Sequence, residues 1–205
     1  MMGLANFCGC AVGQISAERP DGPWPLAEPR ALEQLEYSVP FYPEDTAFDG
    51  SITRPDEMLR HPLGKHPASQ SEIERCFKAW ADESPRAQLF TYATSHQGRP
   101  LMYLAISSER NIERLDDIAR QQRELADQRA TGAARTRSLL ASTPAIAWMG
   151  YGIHGDEPSG TDAALAAAYY LVAGSDDFVD TLLDRAGVLI DPSLNPDGRE
   201  RFLFD

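Results

Sequence analysis

Cysteine is scarce in this chain: Cys8, Cys10 and Cys76 are the full complement among 205 residues. Three thiols make no disulfide framework, and their spacing makes no zinc ribbon. Cys76 lies among Ile73, Phe77 and Trp80, the setting of a core thiol. Basic residues are in the minority, 19 Lys and Arg against 31 Asp and Glu, giving a net charge of −12. That balance argues against nucleic acid or anionic membrane as partners, because phosphate binding needs clustered cations. No apolar run approaches the roughly 20 residues of a membrane-spanning helix. The longest, residues 163–173, reads as a buried helix. No basic residue precedes Arg19, so residues 1–17 make a poor signal peptide and the compartment stays open. Internal repeats and low-complexity segments are absent as well.

What is present suits a globular protein. A hydrophobic share of 42% beside 24% charged residues is ordinary for a folded soluble domain, and the length suffices for one sizeable core. Residues 1–66 form a proline-rich N-terminal extension, with Pro20, Pro23, Pro25, Pro29, Pro40, Pro43, Pro55 and Pro62 denying backbone donors and restricting their neighbours. Trp24, Leu35, Tyr37, Phe41, Tyr42 and Phe48 give that segment apolar anchors for packing on a domain. Helical turns are expected near residues 27–36 and 55–59. The domain proper is expected over residues 67–205.

There the periodicity predicts a helix from a Ser69 or Ser71 cap to about residue 84, with Ile73, Cys76, Phe77 and Trp80 on one face. Strands over 88–94 and 101–107 flank a turn at residues 95–100, where Gly98 permits positive φ, so a hairpin is expected. A polar helix with a thin apolar stripe follows over 109–130. The C-terminal third reads as a strand at 145–149, a helix over 160–173 with Ser159 and Asp162 as its capping box, a second helix from Asp176 to residue 186, and a strand at 188–191. Such a crossover unit pairs its two strands in parallel. The apolar run 202–204 reads as a further sheet segment with an unpaired edge.

Chemistry enters at Gly150-Tyr151-Gly152-Ile153-His154-Gly155-Asp156-Glu157-Pro158-Ser159-Gly160, a glycine-rich turn directly after a strand. His154 and Glu157 are the imidazole and carboxylate of a two-ligand zinc set, and catalytic zinc takes three protein ligands plus a water. Asp156, between them, is placed to orient a ligand through a hydrogen bond. Asn195-Pro196-Asp197-Gly198 follows the next strand, so both motifs fall at the carboxyl ends of parallel strands, where open α/β sheets bind ligands. Taken singly, each has an ordinary explanation. His-x-x-Glu recurs by chance, Asn-Pro-Asp-Gly favours a turn, and Glu157 suits a helix N-terminus. Specificity comes from their order on one strand–helix–strand unit.

With these motifs in place, the chain resembles the zinc carboxypeptidases of the M14 type. The likeness rests on His154-Gly155-x-Glu157-x-x-Gly160, on Asn195-Pro196-Asp197-Gly198 one crossover later, and on the early Gly98-Arg99-Pro100 turn. It spans roughly residues 70–205. It implies an α/β fold with a mixed, largely parallel sheet and flanking helices, present incompletely. It also implies Zn²⁺ as cofactor, with His154 and Glu157 as two of its ligands and Asn195 and Asp197 at the edge of the site. The implied activity is hydrolysis of peptides at their C-terminal end, with a peptide as partner and no inferable partner protein. The family's third ligand histidine, glutamate base and substrate-binding arginines lie later in the chain than these 205 residues reach, so the resemblance assigns no catalytic residue here. His96, in the hairpin turn, and His61 and His66, in the proline-rich segment, do not substitute as third ligand. Arg199 and Arg201 are not assigned to substrate. Two other readings stay open: a zinc-dependent N-acyl amino acid deacylase, and a non-catalytic truncated remnant. Export to the periplasm or medium is compatible with the resemblance.

Overall fold

Four strands and eight helices run through the part of the chain that the computed structural model describes, residues 42, 46–127, 129 and 131–204. All of it falls within the compact unit Pro40–Asp205. Cys8, Cys10, the expected turn at 27–36 and the anchors Trp24, Leu35, Tyr37 and Phe41 lie outside the described residues.

The first helix, α1 (Pro55–Leu59), is the short turn expected from Pro55 at its start. Helix α2 (Gln70–Glu83) begins at a reciprocal capping box: the Ser69 hydroxyl takes the Glu72 N–H while the Glu72 carboxylate takes the Ser69 N–H. Its buried stripe is the predicted one, with Ile73, Cys76, Phe77 and Trp80 all fully enclosed. Burial pushes the Cys76 thiol up to about 12, which leaves it a small inert hydrophobe. The segment before α2 is part of the same core, since Ile52, Leu59 and Leu63 are buried and Trp80 donates its indole N–H to the Thr53 carbonyl at 2.9 Å.

Strands β1 (Ala87–Thr94) and β2 (Pro100–Ile106) form the expected antiparallel hairpin, with a register shift between Thr91 and Ala93. The polar stretch after it divides into α3 (Glu109–Ile112) and α4 (Leu115–Ala126), followed by α5 (Ala133–Ser142). Strand β3 (Ala145–Gly150) leads through the glycine-rich turn into α6 (Pro158–Ala173), then α7 (Asp177–Arg185), β4 (Ala186–Asp191) and α8 (Pro196–Phe204). The sheet order is β1-β2-β4-β3. Strands β3 and β4 pair in parallel along their whole length, as a crossover unit requires. The sheet is therefore mixed, with β2 antiparallel to both neighbours and one parallel pair.

Besides the helix expected over 109–130, which divides into α3 and α4, two local expectations differ. Helix α6 starts at Pro158, not at a Ser159 cap: Glu157 holds the cap position without a side-chain bond, because proline's fixed φ and missing N–H suit the first helical position. Asp162 is released for partners elsewhere. The run 202–204 is the last turn of α8 and not a strand. A short apolar run cannot distinguish the two states by itself, and an upstream cap decides this one. Among the described residues β1 and β3 are the two edges of the sheet, and on β3 Ile146, Trp148 and Met149 are exposed.

One face of the sheet carries the core. Leu104, Ile106, Val188 and Ile190 pack with Phe77 and Trp80 of α2, Leu165 and Tyr169 of α6, and Val179 and Leu183 of α7. An apolar cavity of about 410 Å³ lies beneath α4 against Phe90, Tyr103 and Ile146. It is partly open to solvent and has neither His154, Glu157, Asn195 nor Asp197 in its wall.

Candidate functional site

The carboxyl ends of β3 and β4 and the β1–β2 turn all emerge on one rim, because β2 runs antiparallel to β4 and β4 parallel to β3. The two loops on that rim are stitched by backbone bonds. The Tyr151 N–H donates to the Asp191 carbonyl at 2.9 Å, Leu194 N–H to Tyr151 at 2.9 Å, and Asn195 N–H to Gly152 at 3.0 Å. Gly152 sits at φ 61°, with Thr161 Oγ1 and the Pro192 carbonyl where a Cβ would be. At Gly155 a Cβ would fall on the backbone of Gly198 and Arg199. Glycine is thus called for by positive φ at Gly152 and by close backbone approach at Gly155.

His154, Asp156 and Glu157 are exposed on this turn. The turn closes through the Glu157 N–H, which donates to the His154 carbonyl at 3.2 Å. Both proposed ligand side chains therefore stem from one tight bend. No set of three His, Cys, Asp or Glu capable of holding a metal forms among the described residues. His96 is exposed in the hairpin turn, and His61 lies edge-on to His66 at 5.3 Å, near the start of α2.

The Asn195-Pro196-Asp197-Gly198 motif is a helix start. The Asn195 side-chain oxygen accepts the Gly198 N–H at 3.0 Å, which is the cap bond of α8, with Pro196 in the first helical position. Asp197 reaches to the hairpin instead of to the His154 turn. It takes the Ser95 hydroxyl at 2.8 Å, the Arg99 guanidinium at 2.7 Å and the Gln97 N–H at 3.0 Å. Burial acts against the charged form, but those three donors prevail and hold the carboxyl below its ordinary value. Asn195 and Asp197 therefore join three loops into one rim, with their polar atoms engaged in doing so.

Asp191, which the sequence does not single out, and Arg199, to which it assigns no role, belong to the rim's foundations. Asp191, fully buried at the end of β4, accepts the Tyr92 hydroxyl at 2.6 Å. Burial raises both groups, and the shared bond raises the phenol further, so the proton stays on Tyr92. The register shift at Tyr92 has no local sequence mark. Arg199, in the first turn of α8, is only 2% exposed. Its guanidinium donates to the Ala68 carbonyl at 2.8 Å, the Pro158 carbonyl at 3.0 Å and Asp162 at 3.1 Å. Asp162 also accepts the Ala68 N–H at 3.0 Å. Partners 37 and 131 residues distant leave nothing in the local pattern to announce this role.

The chain matches the zinc carboxypeptidase family, peptidase M14, over residues 73–203. A carboxypeptidase D of Rattus norvegicus is 50% identical over 52 residues, 24% of this chain and 4% of that protein's length. The human carboxypeptidase D matches with the same identity and coverage. A solved carboxypeptidase A from Helicoverpa armigera superposes with a TM-score of 0.44 at 19% identity, covering 73% of this chain and 32% of that one.

Proposed function

Because the chain belongs to the zinc carboxypeptidase family, we propose that it takes part in zinc-dependent removal of residues from the C-terminal end of peptides, with His154 and Glu157 as two of the metal's ligands. The observation that carries this reading is the bend at residues 154–157, which offers an imidazole and a carboxylate from one exposed turn at the carboxyl end of a parallel strand. The donor types fit zinc, which accepts histidine nitrogen and carboxylate oxygen alike. They supply two of the usual three positions, and no third donor joins them among the described residues.

When bound, zinc polarises a carbonyl and acidifies its water. The chain's own residues supply the platform. His154 and Glu157 present a nitrogen and an oxygen to the metal, and Asp156 lies between them to orient a ligand. Asn195 fixes the neighbouring loop through the Gly152 carbonyl and the α8 cap. Asp197 fixes the hairpin turn beside it. Glu157, held three residues from His154, is a ligand in this scheme and not the general base.

The test is release of C-terminal amino acids from peptides by the protein expressed from its gene, with and without chelator. Chelator-sensitive release that Glu157→Gln abolishes is expected. Zinc-free protein without hydrolysis, or cleavage confined to N-acyl amino acids, would count against a carboxypeptidase.

A further inference from the structure

We propose that Arg199 is the positioning residue of the metal-binding turn: its buried guanidinium fixes the Pro158 carbonyl and thereby sets how His154 and Glu157 face a zinc ion. The proposal rests on the reading of that turn given above.

Arg199 and Asp162 are both removed from water, with side-chain exposures of 2% and 12%. Burial opposes charge on each partner. It lowers the guanidinium and raises the carboxyl in spite of their attraction. A buried ion pair of this kind is weak evidence for stability, and apolar residues of similar shape often serve the fold as well. What apolar residues cannot do is direct three donors at three separate acceptors, and the planar guanidinium fork does so in fixed geometry.

The acceptors explain the consequence. Ala68 leads into α2, Asp162 lies one turn into α6, and Pro158 immediately follows Glu157. Pro158 is also the first residue of α6, so its carbonyl marks where the turn ends and the helix begins. The middle of the turn is held by the same residue's backbone, because Gly155 lies directly against Gly198 and Arg199. One residue of α8 therefore supports the bend at its centre by contact and at its end by hydrogen bond. Movement of Pro158 would tilt Glu157 relative to His154, the one relation on which shared coordination depends.

The experiment compares the wild-type chain with the double variant R199M/D162N. Removing both charges together avoids an unpaired buried carboxylate, and Asn keeps the oxygen that takes the Ala68 N–H. Amide exchange is read at Glu157, whose N–H closes the turn, against the amides of β4, which report global opening. Zinc affinity is read by titration on the same samples. The proposal expects Glu157 exchange to accelerate about tenfold relative to β4, and zinc affinity to fall about 10- to 100-fold, the usual effect of losing an outer support of a metal site. Glu157 exchange that stays at the wild-type ratio overturns it, and so does unchanged zinc affinity. A wild-type chain that binds no zinc instead overturns the reading of the turn, and the proposal with it. That result is distinguishable because it precedes any comparison with the variant.

Discussion

The turns that follow β3 and β4 use similar residues to opposite ends. After β4, Asn195 caps α8, Asp197 clamps the hairpin through Ser95, Gln97 and Arg99, and Arg199 is buried among backbone carbonyls. After β3, His154, Asp156 and Glu157 are exposed, and the backbone alone closes the bend. Polar side chains engaged inside the protein hold a shape, whereas polar side chains facing out from a rigid bend are available to a ligand. The second turn is tied to the first by the Leu194 and Asn195 backbone bonds and by the close approach of Gly155 to Gly198 and Arg199. Mutations should accordingly divide into those that cost stability and those that cost only binding.

The sharpest way to break this division is to push the turns apart. Gly155→Ala places a methyl on the backbone of Gly198 and Arg199, where no flexible side chain can yield. A loss of about 3 kcal/mol is expected, the upper part of the usual range for overpacking, measured by urea unfolding. Asn195→Ala removes the α8 cap and should cost about 1 kcal/mol in the same assay.

A smaller effect follows from pH. The Asp197 carboxyl is held below its ordinary value in the folded state. Its contribution is therefore complete above the ordinary carboxylate range and lost as pH falls through the lowered folded value. The Gln97 amide resonance should shift over that acid window in the wild type and stay flat in Asp197→Asn. Smallest of all in stability are His154→Ala and Glu157→Gln. Both residues are exposed, so each change should alter unfolding free energy by less than about 0.5 kcal/mol. A large loss from either would mean that the turn's side chains hold the fold after all.

Much of the framework is legible in the sequence because its signals are local. The serine cap at 69 or 71, the Ile73/Cys76/Phe77/Trp80 stripe, the Gly98 turn and the β3–α6–α7–β4 order each need only neighbouring residues; Ser69 takes the cap, and the rest are present. The His154 and Glu157 pattern is legible for the same reason. The remainder depends on tertiary partners. Asp162 reads as a cap from the chain alone, yet Ala68 and Arg199 claim its oxygen. Asn195-Pro196-Asp197-Gly198 reads as a turn until the helix beyond it is seen, and residues 202–204 read as strand until that helix reaches them. Buried Arg199 and Asp191 have no periodic signature, since their partners arrive from distant segments.

Calorimetric titration of Zn²⁺ into the wild-type chain, His154→Ala and Glu157→Gln tests the central claim most directly. The account predicts binding by the wild type with one ion per chain, and its loss in both ligand variants while their unfolding curves overlay the wild type. Zinc uptake that persists unchanged in His154→Ala and Glu157→Gln would contradict it.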